Sequence, residues 1–114
     1  MTEGQYPYPL QDRPISLPSG RVVRLYNVFT LRPGPPTSYT VQYGSAIPEG
    51  DGALRRAEAA EVITFFAEYF ASQGATRASA QICGTRAQAE MREAPECIFR
   101  FERRHDGLWQ GTDA

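Results

Sequence analysis

The sequence predicts an α+β fold: a mainly antiparallel sheet of about five strands, with one long amphipathic helix packed on one face. Three observations carry that expectation. Stretches rich in β-branched and aromatic residues alternate with period two over 21–31, 38–46, 76–83, 96–103 and 108–110. The stretch 53–72 instead repeats its apolar residues at spacings of three and four. Glycine and proline pairs fall between these segments and punctuate them. The expected order is β-β-α-β-short α-β-β, and 114 residues with 41% hydrophobic content suffice for one core and no second domain.

Residues 1–19 hold Pro7, Pro9, Pro14 and Pro18, so they read as a proline-rich N-terminal arm preceding a single α+β domain over 20–114. Tyr6, Tyr8 and Leu10 stand at alternate positions and would let that arm lie against the body. The first strand places Val23, Leu25, Phe29 and Leu31 on one face, with Asn27 as a polar exception; Val22, Arg24, Tyr26, Val28 and Thr30 take the other. Pro33, Pro35 and Pro36 end it by fixing φ and removing donors. The second strand alternates Tyr39, Val41 and Tyr43 against Thr40, Gln42 and Gly44, and pairs with the first as a hairpin across a stiff loop.

Asp51 is positioned to cap the long helix with its carboxylate. Leu54, Ala57, Val62, Phe65, Phe66 and Tyr69 form its apolar stripe, while Arg55, Glu58, Glu61 and Glu68 fall opposite or at the margins. Gly74 sits where a left-handed residue would stop it. In the third strand Thr76, Ala78, Ala80 and Ile82 give a small inner row against Arg77, Ser79, Gln81 and Cys83. Thr85 and Gln88 have capping-box spacing, which suggests a short helix ending before Pro95. Cys97, Phe99 and Phe101 then alternate with Ile98, Arg100 and Glu102, and Asp106 with Gly107 marks a tight turn into the last strand.

Twelve basic residues stand against thirteen acidic ones, a balance too even for general polyanion binding, so nucleic acid is an unlikely partner. Every basic residue is arginine, which fits the codon usage of a GC-rich, bacterial genome. No segment reads as a secretion signal or membrane span, so a cytoplasmic location without membrane association is expected. Cys83 and Cys97 lack zinc-ligand spacing and read as reduced, packed thiols; no metal and no cofactor are expected.

No nucleophile elbow, zinc-protease or phosphate-loop motif occurs, and the one histidine, His105, lies in an expected surface turn; an enzyme is therefore not expected. The chemistry instead points to a non-enzymatic protein-interaction or regulatory module that binds a protein partner or self-associates as a homo-oligomer. Arg100, Arg103, Arg104, His105 and Trp109 gather guanidinium and indole groups near the C-terminal hairpin, a combination that suits an anionic partner. Tyr39 and Tyr43 would add aromatic surface at a sheet edge or face. Two alternatives come from other classes: a small-ligand pocket between helix and sheet lined by Phe65, Phe66, Tyr69 and Phe99, and weak nucleic-acid binding through the arginine hairpin.

Overall fold

The computed structural model describes residues 13–30, 37–84, 95 and 97–112. It is α+β, with strands β1 (Arg13–Ser16), β2 (Val22–Phe29) and β3 (Thr37–Gly44), helices α1 (Gly52–Phe65) and α2 (Ala67–Ser72), and strands β4 (Ala75–Ile82), β5 (Cys97–Arg103) and β6 (Trp109–Gly111). The six strands form one sheet whose spatial order follows the chain. Of the expected features outside the described residues, the proline loop, the short helix over 85–94 and the start of the arm are the chief ones.

Three details differ from the sequence expectation. Arg13–Ser16, assigned to the arm, pair antiparallel with β2. Pro14 donates no hydrogen bond, which is compatible with a strand at the rim of a sheet, and β1 occupies that rim among the described residues. The sheet is mixed, because β3 and β4 run parallel while the other neighbours run antiparallel. Parallel neighbours require a crossover, and the two helices supply it.

The third difference is a break in the long helix at Phe66, whose amide bonds the Ile63 carbonyl at 3.1 Å in a tightened last turn. The local sequence explains it. Val62, Ile63 and Thr64 are β-branched and Phe65 and Phe66 aromatic, all of low helix propensity, and the Thr64 hydroxyl donates back to the Ala60 carbonyl at 2.9 Å. Phe66 and Phe70 remain in the core on either side of the break, their rings stacked at 6.0 Å.

Two hairpin turns share one design. Leu17 donates its amide to the Arg21 carbonyl and Gly20 donates to Leu17; likewise Arg104 donates to Leu108 and Gly107 to Arg104. Each leaves a three-residue loop ending in glycine, with φ of 92° at Gly20 and 85° at Gly107, the region an L side chain rarely enters. Gly74 at φ 72° ends α2 as expected. Asp51 does precede α1, but its side chain makes no capping hydrogen bond.

The main core lies between the helices and one face of the sheet, where Val23, Leu25, Val41, Val62, Ile63 and Phe70 meet. A β-bulge between Leu25 and Asn27 resets the alternation of β2. Val28 thereby joins Val23 and Leu25 in the main core, Asn27 ceases to be a polar exception in an apolar row, and Tyr26 packs in a separate small cluster with Cys83. Among the described residues no helix is long and apolar enough to cross a membrane.

Candidate functional site

The face of the sheet opposite α1 and α2 is polar at its centre. Ser38 pairs in register with Arg77, Thr40 with Ser79 and Gln42 with Gln81, so the parallel strands β3 and β4 set matching polar residues side by side. The Thr40 and Ser79 hydroxyls are 3.3 Å apart, and the Gln42 amide donates to the Gln81 carbonyl oxygen at 3.4 Å. Gln42 is buried and its own carbonyl oxygen has no hydrogen-bond partner.

Next to this column, β4 and β5 place Arg77 opposite Glu102 and Ser79 opposite Arg100. Ser38, Arg77, Ser79, Arg100, Glu102 and Thr112 surround a cleft of about 410 Å³, within the range of small-ligand sites. Ala78 and Phe101 also line it; both side chains belong to the core, so they offer the cleft their backbone. The Thr112 amide donates to the Arg100 carbonyl at 2.9 Å and continues the wall past the end of β6. Arg77 Nε and Glu102 Oε2 stand 3.9 Å apart with both side chains more than half exposed, a long and solvent-screened pair. Among the described residues the cleft thus brings Arg77, Arg100 and Glu102 beside the side chains of Ser38, Ser79 and Thr112.

A second polar group lies on the other side of the sheet, in the core. Arg55 and Glu58 of α1 are buried, and the Arg55 guanidinium donates from Nε to the Ile47 carbonyl at 3.1 Å. One Glu58 carboxylate oxygen and the Tyr43 hydroxyl are enclosed without hydrogen-bond partners. Burial pushes the Tyr43 hydroxyl well above the usual tyrosine range; the negative Glu58 and then Cys97 push it further, and Arg55 opposes them. Tyr39 is also raised, by burial and then by its hydrogen bond with Tyr69. These are interior positions, whereas the sequence reading set Arg55 and Glu58 at or beyond the margin of the helix stripe. The missed signal was their phase: Arg55 lies four residues ahead of Ala59 and Glu58 four ahead of Val62, on the same side of the helix.

The structure separates the residues expected to form one interaction patch. Arg100 lines the cleft on the sheet face opposite α1 and α2. Trp109 turns to the helix side, half-buried, with its ring edge-to-face against Phe70 at 5.7 Å, so indole and Arg100 do not share a surface. Arg103 and His105 are exposed around the last turn, and Arg104 pairs with Asp106 at 3.1 Å. Tyr39 and Tyr43 are enclosed under the helices, Tyr39 stacked on Phe70 at 5.1 Å, and offer no edge surface.

Of the residues expected around a ligand pocket, Phe66 and Phe99 are buried core residues, Tyr69 is half-buried against Tyr39, and Phe65 is 44% exposed. Arg56 lies over the Phe99 ring at 5.3 Å. Cys83 and Cys97 are both free thiols at the ends of neighbouring strands; Cys83 packs with Tyr26 and Cys97 against the main core. The row Arg77, Ser79 and Gln81 was visible as an alternation, yet its partners on β3 depended on a parallel pairing that the sequence reading did not assign.

Compared with known proteins, the chain matches no family model, no curated protein sequence and no solved structure.

Proposed function

We propose that this chain is a non-enzymatic interaction module that receives a protein partner on the face of its sheet opposite α1 and α2. The cleft between β3, β4 and β5 carries this reading: it presents charged and hydroxyl side chains on rigid strands, an arrangement suited to holding polar groups of another chain. The rims of the sheet are poorer candidates among the described residues. β1 has four residues and includes Pro14, and β6 has three, so neither offers a long row of unpaired backbone groups for strand addition.

Selection from a random peptide-display library tests the proposal, with counter-selection against Ser38→Trp, which places an indole in the cleft. Selected peptides are expected to shift the amide NMR signals of residues 77–79 and 100–102 and to lose binding to the Ser38→Trp protein. Binders that perturb only other surfaces, or a library that yields none, would overturn it.

A further inference from the structure

We infer that the Asp51–Gly52 peptide is a site of spontaneous covalent modification, where Asp51 of the folded chain closes to a succinimide and reopens as isoaspartate, while the turn around Asp106–Gly107 protects that pair. The chain contains these two Asp–Gly pairs and no Asn–Gly pair. The reaction draws only on the pair and on water. The Gly52 nitrogen attacks Asp51 Cγ; the new nitrogen–carbon bond forms as a carboxyl carbon–oxygen bond breaks, and that oxygen leaves as water with the amide proton. Water then reopens the ring. Where it cleaves the bond between the Gly52 nitrogen and the former backbone carbonyl carbon, the chain continues through Cγ. Glycine favours closure because it has no Cβ to crowd the approach and leaves the backbone free to rotate.

The two pairs differ in whether the reacting groups are already held. In the hairpin turn the Gly107 amide donates to the Arg104 carbonyl at 3.0 Å. Asp106 Oδ1 accepts from the Leu108 amide at 3.1 Å, and Oδ2 pairs with Arg104 at 3.1 Å. Nucleophile and carboxylate are thus both engaged. Ahead of α1 the Asp51 carboxylate makes no capping hydrogen bond, and among the described residues neither it nor the Gly52 amide has a hydrogen-bond partner. The Gly52 amide is one of the donors that the first turn of a helix leaves without an intrahelical acceptor. Glycine stands on both sides of Asp51, and a Cβ built at Gly50 or Gly52 meets nothing within 4 Å, so the peptide lies in open space. The modification reaches the helix itself: the Asp51 carbonyl accepts from the Arg55 amide at 3.0 Å, and isomerisation turns that carbonyl into a free carboxylate at the entry to α1.

The test ages the full chain at mildly acidic pH, with circular dichroism verifying the fold, and measures isoaspartate at each pair by electron-transfer fragmentation of tryptic peptides. Arginines between the two pairs place them on separate peptides. Isoaspartate should accumulate at Asp51 at least about fivefold faster than at Asp106, the factor that one protecting hydrogen bond supplies. In denaturant, where neither pair is held, the two rates should converge. Gly52→Ala, whose added methyl has room in the fold, should suppress the reaction at Asp51 and leave Asp106 unchanged. A folded chain that reacts at Asp106 as fast as at Asp51, or at neither, would overturn the inference. So would a difference that persists in denaturant, or a rate at Asp51 that Gly52→Ala does not lower.

Discussion

Tyr43 keeps a hydroxyl in the interior with no hydrogen-bond partner, and that single group has two measurable effects. A buried polar group left unsatisfied is destabilising by about 1–3 kcal/mol, so Tyr43→Phe should stabilise the fold by about 1 kcal/mol in a denaturant melt at neutral pH. The second effect is alkaline. Folding raises the Tyr43 hydroxyl above its ordinary value of 10.0, so above that pH the unfolded chain releases a proton that the folded chain retains. Stability is therefore fully present below about pH 10 and falls as pH rises beyond it. Melts between pH 9 and 11 should show a shallower decline in Tyr43→Phe, with part of the slope persisting because Tyr39 is raised as well.

Gly44 gives a residue-scale test of packing. A Cβ built there would stand 2.6 Å from the Tyr26 hydroxyl oxygen and 3.1 Å from Cζ of the same ring. Tyr26 is itself buried, so the ring has little room to yield. Gly44→Ala should destabilise by about 1–3 kcal/mol, and by much less when Tyr26 is already alanine; chemical denaturation of the four proteins in that cycle measures the coupling. Neither effect was legible in the sequence. Period-two alternation placed Tyr26 correctly off the main core row, but only the strand register brings its ring over Gly44.

At the scale of elements, Glu61 ties a helix to a turn. Its two carboxylate oxygens accept from the Ser19 amide and the Ser19 hydroxyl, each at 2.9 Å, and so fasten the β1–β2 hairpin to α1. The sequence reading treated Glu61 as a margin residue of the helix, because nothing local in a chain announces a partner 42 positions away. Glu61→Ala should cost about 1 kcal/mol and speed hydrogen exchange at Arg21, whose backbone belongs to that turn, while β4 amides remain unaffected.

The strands β2 to β6 were legible because each carries its own alternation and its own turn signals. β1 was not, since Pro14 suppresses local strand propensity and only the neighbouring β2 makes that segment extended. The helix was legible as a helix from its stripe. Its interruption at Phe66 reflects the run from Val62 to Phe66, whose low propensity was overlooked beside its hydrophobicity.

For the whole molecule, the pairing at the centre decides where stability resides. β3 and β4 are covered by the helices on one face and carry the Thr40–Ser79 and Gln42–Gln81 contacts on the other, whereas β1 and β6 are short and lie at the rims. Native-state hydrogen exchange should accordingly be slowest in β3 and β4, with β1 and β6 opening first through local fluctuations. The candidate site was only partly legible at this scale: Arg100 was singled out from sequence, but Arg77, Ser79 and Glu102 join it through a register set by the helical crossover.

That spatial order follows chain order has a practical corollary for engineering. Among the described residues the first strand lies at one rim of the sheet and the last at the opposite one, five interstrand steps away, or roughly 24 Å at about 4.8 Å per step. A circularly permuted version linking Gly111 directly to Arg13 would need a bridge of at least about eight extended residues to cross from one rim strand to the other.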